Sequence, residues 1–149
     1  GNARADVWPA LEGLRRAISR IYPDVTIDLD GDRTAIFHGE RQDLEEMAGN
    51  LIENAAKYGA GRVFVSVSLS GGPERFVEIL VEDDGPGIAK TERGRIFGRG
   101  ARLDTEKPGT GLGLSIVKDV AEIYGGGITL GSSEDLGGLA ATLRLPSAG

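Results

Sequence analysis

Two asparagines and a lysine lie close together on a predicted helix, at positions where a purely structural helix needs no polar groups. At about 100° per residue, Asn50, Asn54 and Lys57 fall within an arc of about 60°, away from the apolar stripe of the helix. Two neutral amide oxygens beside a cation suit Mg²⁺, a hard ion that takes oxygen ligands and shares them with phosphates. A solvated polar face with two ordinary asparagines would give the same pattern.

The segment "VEDDGPGI", residues 81–88, ends an apolar run with two carboxylates and then turn-forming residues. A carboxylate at a strand end can accept a hydrogen bond from an exocyclic amine, such as that of adenine. Gly85 and Gly87 would let a flat ring approach the backbone. The alternative is an ordinary charged turn between a strand and a loop.

The segment "GTGLGLSIV", residues 109–117, places a glycine at every second position before an apolar helical stretch. It is not a Walker loop, because no Gly-x4-Gly-Lys-Ser/Thr occurs in the chain. It is not the dinucleotide fingerprint either, because no strand feeds directly into it. The glycines either turn a corner or bare the N–H groups of a helix N-terminus for a phosphate.

Composition narrows the class of protein. The 149 residues are 40% apolar and 27% charged, as expected for one globular domain with a sizeable core. The net charge of −6 argues against a nucleic-acid surface. No window approaches a membrane-spanning length, so we expect no insertion into a membrane. The lack of cysteine excludes disulfides and thiolate metal sites, and fits a reducing compartment.

Hydrophobic periodicity predicts helices interleaved with strands. Helices are expected at residues 6–22, 40–58 and 111–124. Strands are expected at 25–29, 62–70, 75–83, 128–131 and 139–145, with 34–38 as a partner of 25–29 across a turn. The 62–70 and 75–83 strands predict a hairpin. We therefore predict a two-layer α/β sandwich, with a mixed sheet and three main helices on one face. The irregular segment 89–108 is too long for an ordinary connection.

Taken in this order, the motifs resemble the catalytic ATP-binding domain of sensor histidine kinases, within the GHKL (Bergerat-fold) superfamily. "NLIENAAKY" (50–58) resembles the N box, "DDGPG" (83–87) the G1 box, "RIFGRG" (95–100) the F box and "GTGLGL" (109–114) the G2 box. The resemblance extends over about residues 40–145. The run "FGRGARLDTEKPGTGLGL" further resembles the PhoQ-type branch.

The resemblance implies a role for each matching residue. Asn54 matches a Mg²⁺ ligand, Asp83 the aspartate that reads the adenine amine, and Phe97 the aromatic residue that anchors a flexible ATP lid at 89–108. The implied catalytic residues are Asn50, Lys57, Arg102 and Lys107. The implied ATP-binding set is Asn50, Asn54, Lys57, Tyr58, Asp83, Gly85, Gly87, Ile88, Phe97, Arg99, Gly109, Thr110, Gly111, Leu112, Gly113 and Leu114.

Three functions remain open within this superfamily: a histidine kinase, an ATPase clamp or serine kinase, and a binding module without turnover. ATPases and serine kinases resemble one another in placing a glutamate four residues before the metal-ligand asparagine. Here that position is Asn50, which favours phosphorylation of a histidine, since an imidazole attacks through its own lone pair. His38 lies in a predicted strand or turn and is not expected to be the phosphate acceptor.

The resemblance also implies partners and a location. It implies a single catalytic domain over residues 1–149, with 1–5 a tag or linker remnant and the phosphoacceptor domain absent. The isolated domain is expected to be monomeric. Its partners would be a histidine-bearing dimerisation domain of the same protein and a response-regulator receiver domain. The implied location is the bacterial cytoplasm, as part of an inner-membrane sensor.

Overall fold

The computed structural model describes residues 2–72, 75–89, 91, 93 and 110–149, with side chains from 113 onward in the last range. Three helices lie within these residues: α1 (Val7–Ile21), α2 (Arg41–Tyr58) and α3 (Thr110–Ile123). The strands among them are β1 (Ala5–Asp6), β2 (Thr26–Gly31), β3 (Ile36–Phe37), β4 (Arg62–Ser70), β5 (Phe76–Asp83), β6 (Gly127–Ser132) and β7 (Leu139–Pro146).

The main sheet of the described chain has the strand order β2-β4-β5-β7-β6. The β2–β4 pair is parallel and the other three pairs are antiparallel, so the sheet is mixed. Period-2 alternation on β4 and β5 buries one face of each strand beneath the helices. These buried residues are Val63, Val65, Val67, Val77, Ile79 and Val81. The predicted two-layer α/β fold is confirmed.

Helix α2 lies at the centre of the helix layer and packs against both α1 and α3 as well as the sheet. Its apolar stripe recurs every three or four residues and is fully buried. The stripe consists of Leu44, Met47, Ala48, Leu51, Ile52 and Ala55. Packing of this stripe therefore fixes the position of the polar side chains on the other faces of α2 relative to the sheet.

Tyr124, which follows α3, fixes that helix against the start of α2. Its hydroxyl donates a hydrogen bond to the Asp43 carboxylate and accepts one from the Glu40 N–H at 3.3 Å. Its ring lies edge-on to Phe37, with 4.9 Å between the ring centroids. Helix α3 thus runs back along α2, and its first turns come to lie beside the middle of α2.

The predicted pairing of residues 25–29 with 34–38 is wrong. Strand β2 instead pairs in parallel with β4, and β3 pairs with β1. The Asp32 N–H extends the β2–β4 ladder to the Val67 carbonyl at 2.9 Å. The Asp32 side chain then accepts a hydrogen bond from the Thr34 N–H at 2.7 Å, which turns the chain away from β2.

Candidate functional site

Asp83 is the last residue of β5, and its side chain lies on the helix-covered side of the sheet, beside the end of α2. The residue is only 5% exposed. Its Oδ1 atom accepts hydrogen bonds from the Gly85 N–H at 2.9 Å and the Leu139 N–H at 3.2 Å. Among the described residues these two groups are the donors to this carboxylate, and both bind Oδ1.

Burial raises the pKa of Asp83 above its ordinary value, and the charge of neighbouring Asp84 raises it further. The two backbone N–H groups act in the opposite direction and offset part of this increase. Because water is largely excluded, a further donor to Oδ2 would stabilise the ionised form. An amine on a flat ring is a donor of that kind.

Three glycines bring separate segments together around Asp83. A Cβ atom on Gly85 would lie 2.5 Å from the Tyr58 carbonyl oxygen, and one on Gly138 would lie 2.2 Å from Asp83 Oδ1. A Cβ on Gly59 would lie 2.6 Å from the Ala55 carbonyl oxygen. The end of α2, the turn after β5 and the loop before β7 can meet here only because these positions lack side chains.

Asp84, the next residue, has a different task. Its Oδ1 atom accepts hydrogen bonds from the N–H groups of Ala60 at 2.8 Å and Arg62 at 3.0 Å. Burial raises the pKa of Asp84, but these hydrogen bonds outweigh burial and the pKa is lowered overall. Asp84 therefore fixes the loop from α2 to β4, whereas Asp83 is bound by the turn after β5 and by the start of β7.

The other end of the site lies where α2 faces the first turns of α3. The Asn50 Nδ2 group donates a hydrogen bond to the Glu46 carbonyl at 2.8 Å. This bond turns Oδ1 toward α3, where a Cβ atom on Gly113 would lie 3.1 Å away. Among the described residues, Asn54 Nδ2 is one of two buried side-chain N or O atoms without a hydrogen-bond partner.

The side chains that could bind a metal ion at this end are the neutral amides of Asn50 and Asn54. In the part of the chain that the structure describes, no group of three or more His, Cys, Asp or Glu side chains could hold a metal ion. Asn50 and Asn54 fit a hard cation that takes most of its oxygen ligands from phosphates and water. Glu53, the carboxylate next to Asn54, interacts with the Tyr22 phenol at the end of α1.

The structure places the other predicted residues as follows. Lys57 and Tyr58 are half-buried in the last turn of α2, and Ile88 packs against the core. Gly87 adopts a φ of +74°, and Leu114 is buried. Gly111 and Gly113 lie on α3, together with Thr110 and Leu112, whose side chains are not described. Outside the described residues lie Phe97, Arg99, Arg102, Lys107 and Gly109.

Only three residues of the predicted lid, 89–108, are among those described: Ala89, Thr91 and Arg93. Arg93 donates hydrogen bonds to the Ile88 carbonyl at 3.2 Å and to Ser132 Oγ at 2.9 Å. The predicted mobility of the lid therefore stays a prediction.

Sequence reasoning missed part of the surroundings of Asp83. Gly138 and Leu139 contact this residue through backbone N–H groups, which every residue except proline provides. The paired glycines at 137 and 138 were the available signal, since such a pair before a strand marks a close approach of two backbones.

Comparison with known proteins defines the class. Residues 39–149 match the family described as histidine kinase-, DNA gyrase B- and HSP90-like ATPases. The chain belongs to this family.

Individual relatives narrow the class further. The chain is 41% identical over 143 residues to the two-component sensor PhoQ of Pseudomonas aeruginosa, a match that covers 95% of this chain and 31% of that protein. The mycobacterial sensor histidine kinase MprB superimposes with a TM-score of 0.84 at 27% identity, and covers 99% of this chain and 98% of MprB. The ATP-binding domain of PrrB from Mycobacterium tuberculosis gives 0.78 at 32% identity, with coverages of 99% and 98%.

These similarities confirm the predicted resemblance, including that to the PhoQ-type branch. The chain is an ATP-binding catalytic domain of the sensor histidine kinase class. It spans about a third of the length of the curated PhoQ relative. Among the described residues, no helix combines the length and hydropathy that a membrane crossing requires.

Proposed function

We propose that residues 1–149 form one catalytic domain that binds Mg²⁺-ATP and transfers its γ-phosphoryl group to a histidine on a separate dimerisation domain of the same protein. The phosphoryl group would then pass to an aspartate on a response-regulator receiver domain. The observation that carries the proposal is the buried Asp83 carboxylate, whose two backbone N–H donors both bind Oδ1.

Asp83 and the glycines around it form the adenine end of the proposed site. Oδ2 would accept a hydrogen bond from the exocyclic amine, while Gly85 and Gly87 let the ring lie against the backbone. The raised pKa of Asp83 fits this role, because a buried carboxylate gains more from an added donor than an exposed one does.

Asn50, Asn54 and the start of α3 form the phosphate end. The Asn50 oxygen lies beside Gly113, and Asn54, one turn further along α2, has a buried Nδ2 atom without a hydrogen-bond partner among the described residues. A bound Mg²⁺ would screen the phosphate charges there. Lys57, Arg102 and Lys107 would add positive charge, and the glycines from Gly109 to Gly113 would leave the N–H groups of α3 open to phosphate oxygens. Tyr58, Ile88, Phe97 and Arg99 complete the proposed set.

Position 50 favours phosphorylation of a histidine over hydrolysis or serine phosphorylation. Attack by water or a serine hydroxyl needs a general base near the γ-phosphate. An asparagine amide cannot act as a base, and the neighbouring Glu53 lies one residue round the helix, close enough to the Tyr22 phenol for its charge to raise that group's pKa. A neutral imidazole attacks through its own lone pair, so positioning and charge neutralisation supply the catalysis.

The proposal includes a location and an oligomeric state. An ATP-dependent kinase needs the nucleotide pool of the cytoplasm, so we place this domain on the cytoplasmic side of an inner-membrane sensor. The isolated chain is expected to elute as a monomer in size-exclusion chromatography with light scattering.

Labelled phosphate transfer tests the proposal. The purified chain is mixed with the histidine-bearing dimerisation domain of the same protein and γ-labelled Mg²⁺-ATP. We expect acid-labile label on the acceptor domain, little label on the chain alone, and no transfer by the Asn54→Ala variant. Label on the isolated chain that His38→Gln removes would overturn the division of labour. Rapid hydrolysis without an acceptor would instead place the chain among the ATPases.

A further inference from the structure

The loop between β6 and β7, residues 133–138, crosses the end of β5 on the side of the sheet that carries no helices. Alternate residues of β5 face that side, and Glu82 is one of them, opposite Ala140 of β7. Glu82 is nevertheless only 7% exposed, and Ser133 only 3%. The loop therefore covers a carboxylate that the strand alone would leave in water.

A side-chain hydrogen bond anchors this loop to β5. The Ser133 hydroxyl donates to Glu82 Oε1 at 2.9 Å and accepts from the Leu136 N–H at 3.0 Å. The backbone closes the turn, because the Ser133 N–H donates to the Gly138 carbonyl at 2.8 Å and the Gly137 N–H donates to the Ser133 carbonyl at 2.9 Å. Ser133 thus both closes the turn within the loop and attaches the loop to β5.

The far end of the same loop holds Asp83. The Gly138 N–H donates to the Asp83 carbonyl at 3.0 Å, and the Leu139 N–H donates to Asp83 Oδ1 at 3.2 Å. The start of the loop thus contacts Glu82, whose side chain lies on one face of the sheet. The end of the loop contacts Asp83, whose side chain lies on the other face. The same short loop is therefore hydrogen-bonded to Glu82 at its start and to Asp83 at its end.

We propose that Ser133 and Glu82 are positioning residues that set the base specificity of the nucleotide site by orienting Asp83 through the Leu139 N–H. This inference rests on the proposed function and deepens it. A correctly aimed carboxylate accepts a hydrogen bond from the exocyclic amine of adenine. It repels the carbonyl oxygen that hypoxanthine carries at the same ring position. A change in the orientation of Oδ2 weakens both the hydrogen bond with adenine and the repulsion of hypoxanthine. It therefore reduces the preference for adenine without abolishing nucleotide binding in general.

The test compares the affinities for ADP and IDP by titration calorimetry. We expect the unmodified chain to prefer ADP, and Asp83→Asn to remove most of that preference. Ser133→Ala and Glu82→Ala should each reduce the ADP/IDP ratio by roughly tenfold, the size expected for one misplaced hydrogen bond. Glu82→Gln keeps an acceptor oxygen for the Ser133 hydroxyl and should retain the ratio.

Ser68→Ala is the matched control, since Ser68 lies on the same helix-free side of the sheet, opposite Glu78 and away from the loop. It should leave the ratio unchanged. Thermal unfolding of each variant distinguishes a changed orientation of the Asp83 carboxylate from a general loss of structure. If Ser133→Ala lowers ADP and IDP affinity equally, or leaves both unchanged while Asp83→Asn removes the preference, the inference is wrong. Failure of the unmodified chain to bind ADP would instead contradict the proposed function.

Discussion

The two ends of the proposed site are built in different ways. At the β5 end, Asp83 and Asp84 are both held by backbone N–H groups, and the neighbouring glycines allow the backbone segments to approach closely. At the α2–α3 end, the polar groups are asparagine side chains, and the Asn54 Nδ2 atom has no hydrogen-bond partner among the described residues. At the base end the backbone fixes one oxygen of each carboxylate, whereas the phosphate end includes a buried side-chain nitrogen without a partner among the described residues.

The sharpest way to separate the two ends is to compare ligands of increasing phosphate content. Asp83→Asn should weaken adenosine, AMP, ADP and ATP alike, by about 1–3 kcal/mol, because a donor then faces the adenine amine. Asn54→Ala should weaken only Mg²⁺-dependent binding of ADP and ATP. Calorimetry with and without Mg²⁺ measures both. Identical ligand profiles for the two variants would show that the ends do not act separately.

The close contact at Gly138 gives a second test of the base end. A methyl group there would lie 2.2 Å from Asp83 Oδ1 and 2.4 Å from the Asp83 carbonyl oxygen. We expect Gly138→Ala to lower the free energy of unfolding by about 1–3 kcal/mol and to impair adenosine binding. Gly127→Ala is the control, since its methyl group would meet nothing within 4 Å. Urea denaturation of both variants tests this prediction. Equal midpoints for Gly138→Ala and Gly127→Ala would contradict it.

The contributions of the neighbouring Asp83 and Asp84 carboxylates to stability should depend on pH in opposite directions. The folded-state pKa of Asp83 is raised above 3.8, so its contribution to stability is lost as the pH rises from 3.8 through the raised value. The folded-state pKa of Asp84 is lowered, so its contribution is present above 3.8 and lost as the pH falls through the lowered value. At neutral pH, Asp83→Asn should therefore stabilise the ligand-free chain and Asp84→Asn should destabilise it.

Urea denaturation between pH 3 and pH 8 checks both signs. The difference between each variant and the unmodified chain should shrink toward the acid end of the range. A destabilising Asp83→Asn at neutral pH would mean that this carboxylate is structural, as Asp84 is.

The smallest expected effect lies at the phosphate end. Gly113→Ala should stabilise α3 by up to about 1 kcal/mol, since alanine is the better helix former. Its methyl group would lie 3.1 Å from Asn50 Oδ1, so the amide must move by a few tenths of an ångström. We expect Mg²⁺-ATP affinity to fall a few-fold (roughly 1 kcal/mol or less) while adenosine affinity is unchanged.

Gly13→Ala on α1 offers the same gain in helix propensity without a close contact, since the nearest described atom to its methyl group would be in the Arg16 side chain, at 3.9 Å. This control should gain stability without any change in nucleotide binding. Equal losses of adenosine and ATP affinity in Gly113→Ala would argue against a phosphate role for this end.

Local pattern predicted the elements well and their partners less well. The β4–β5 hairpin was predicted within one residue of its observed bounds, because alternation and a glycine turn both lie within one short segment. The parallel pairing of β2 with β4 was not predicted, because nothing in residues 26–31 records which distant strand they meet.

The same limit applies to the site. Side chains that can do chemistry, such as Asn54 and Asp83, stand out by residue type and spacing. The N–H groups of Gly85 and Leu139 do not, since a backbone donor has no residue type. The pair formed by Glu82 and Ser133 joins two segments far apart in the chain, and neither residue is unusual in its own neighbourhood.

The mixed sheet has a consequence for the order in which the chain folds. Strands β4 and β5 are separated in the chain only by residues 71–75, so their pairing closes a small loop at little entropic cost. Strand β2 pairs with β4 only after α2 has crossed between them, with Thr26 opposite Arg62. Contacts between distant segments are slow to form. The strand that ends in Asp83 therefore belongs to the pair that closes at low entropic cost, whereas the β2–β4 and β5–β7 pairs must each bring distant segments together.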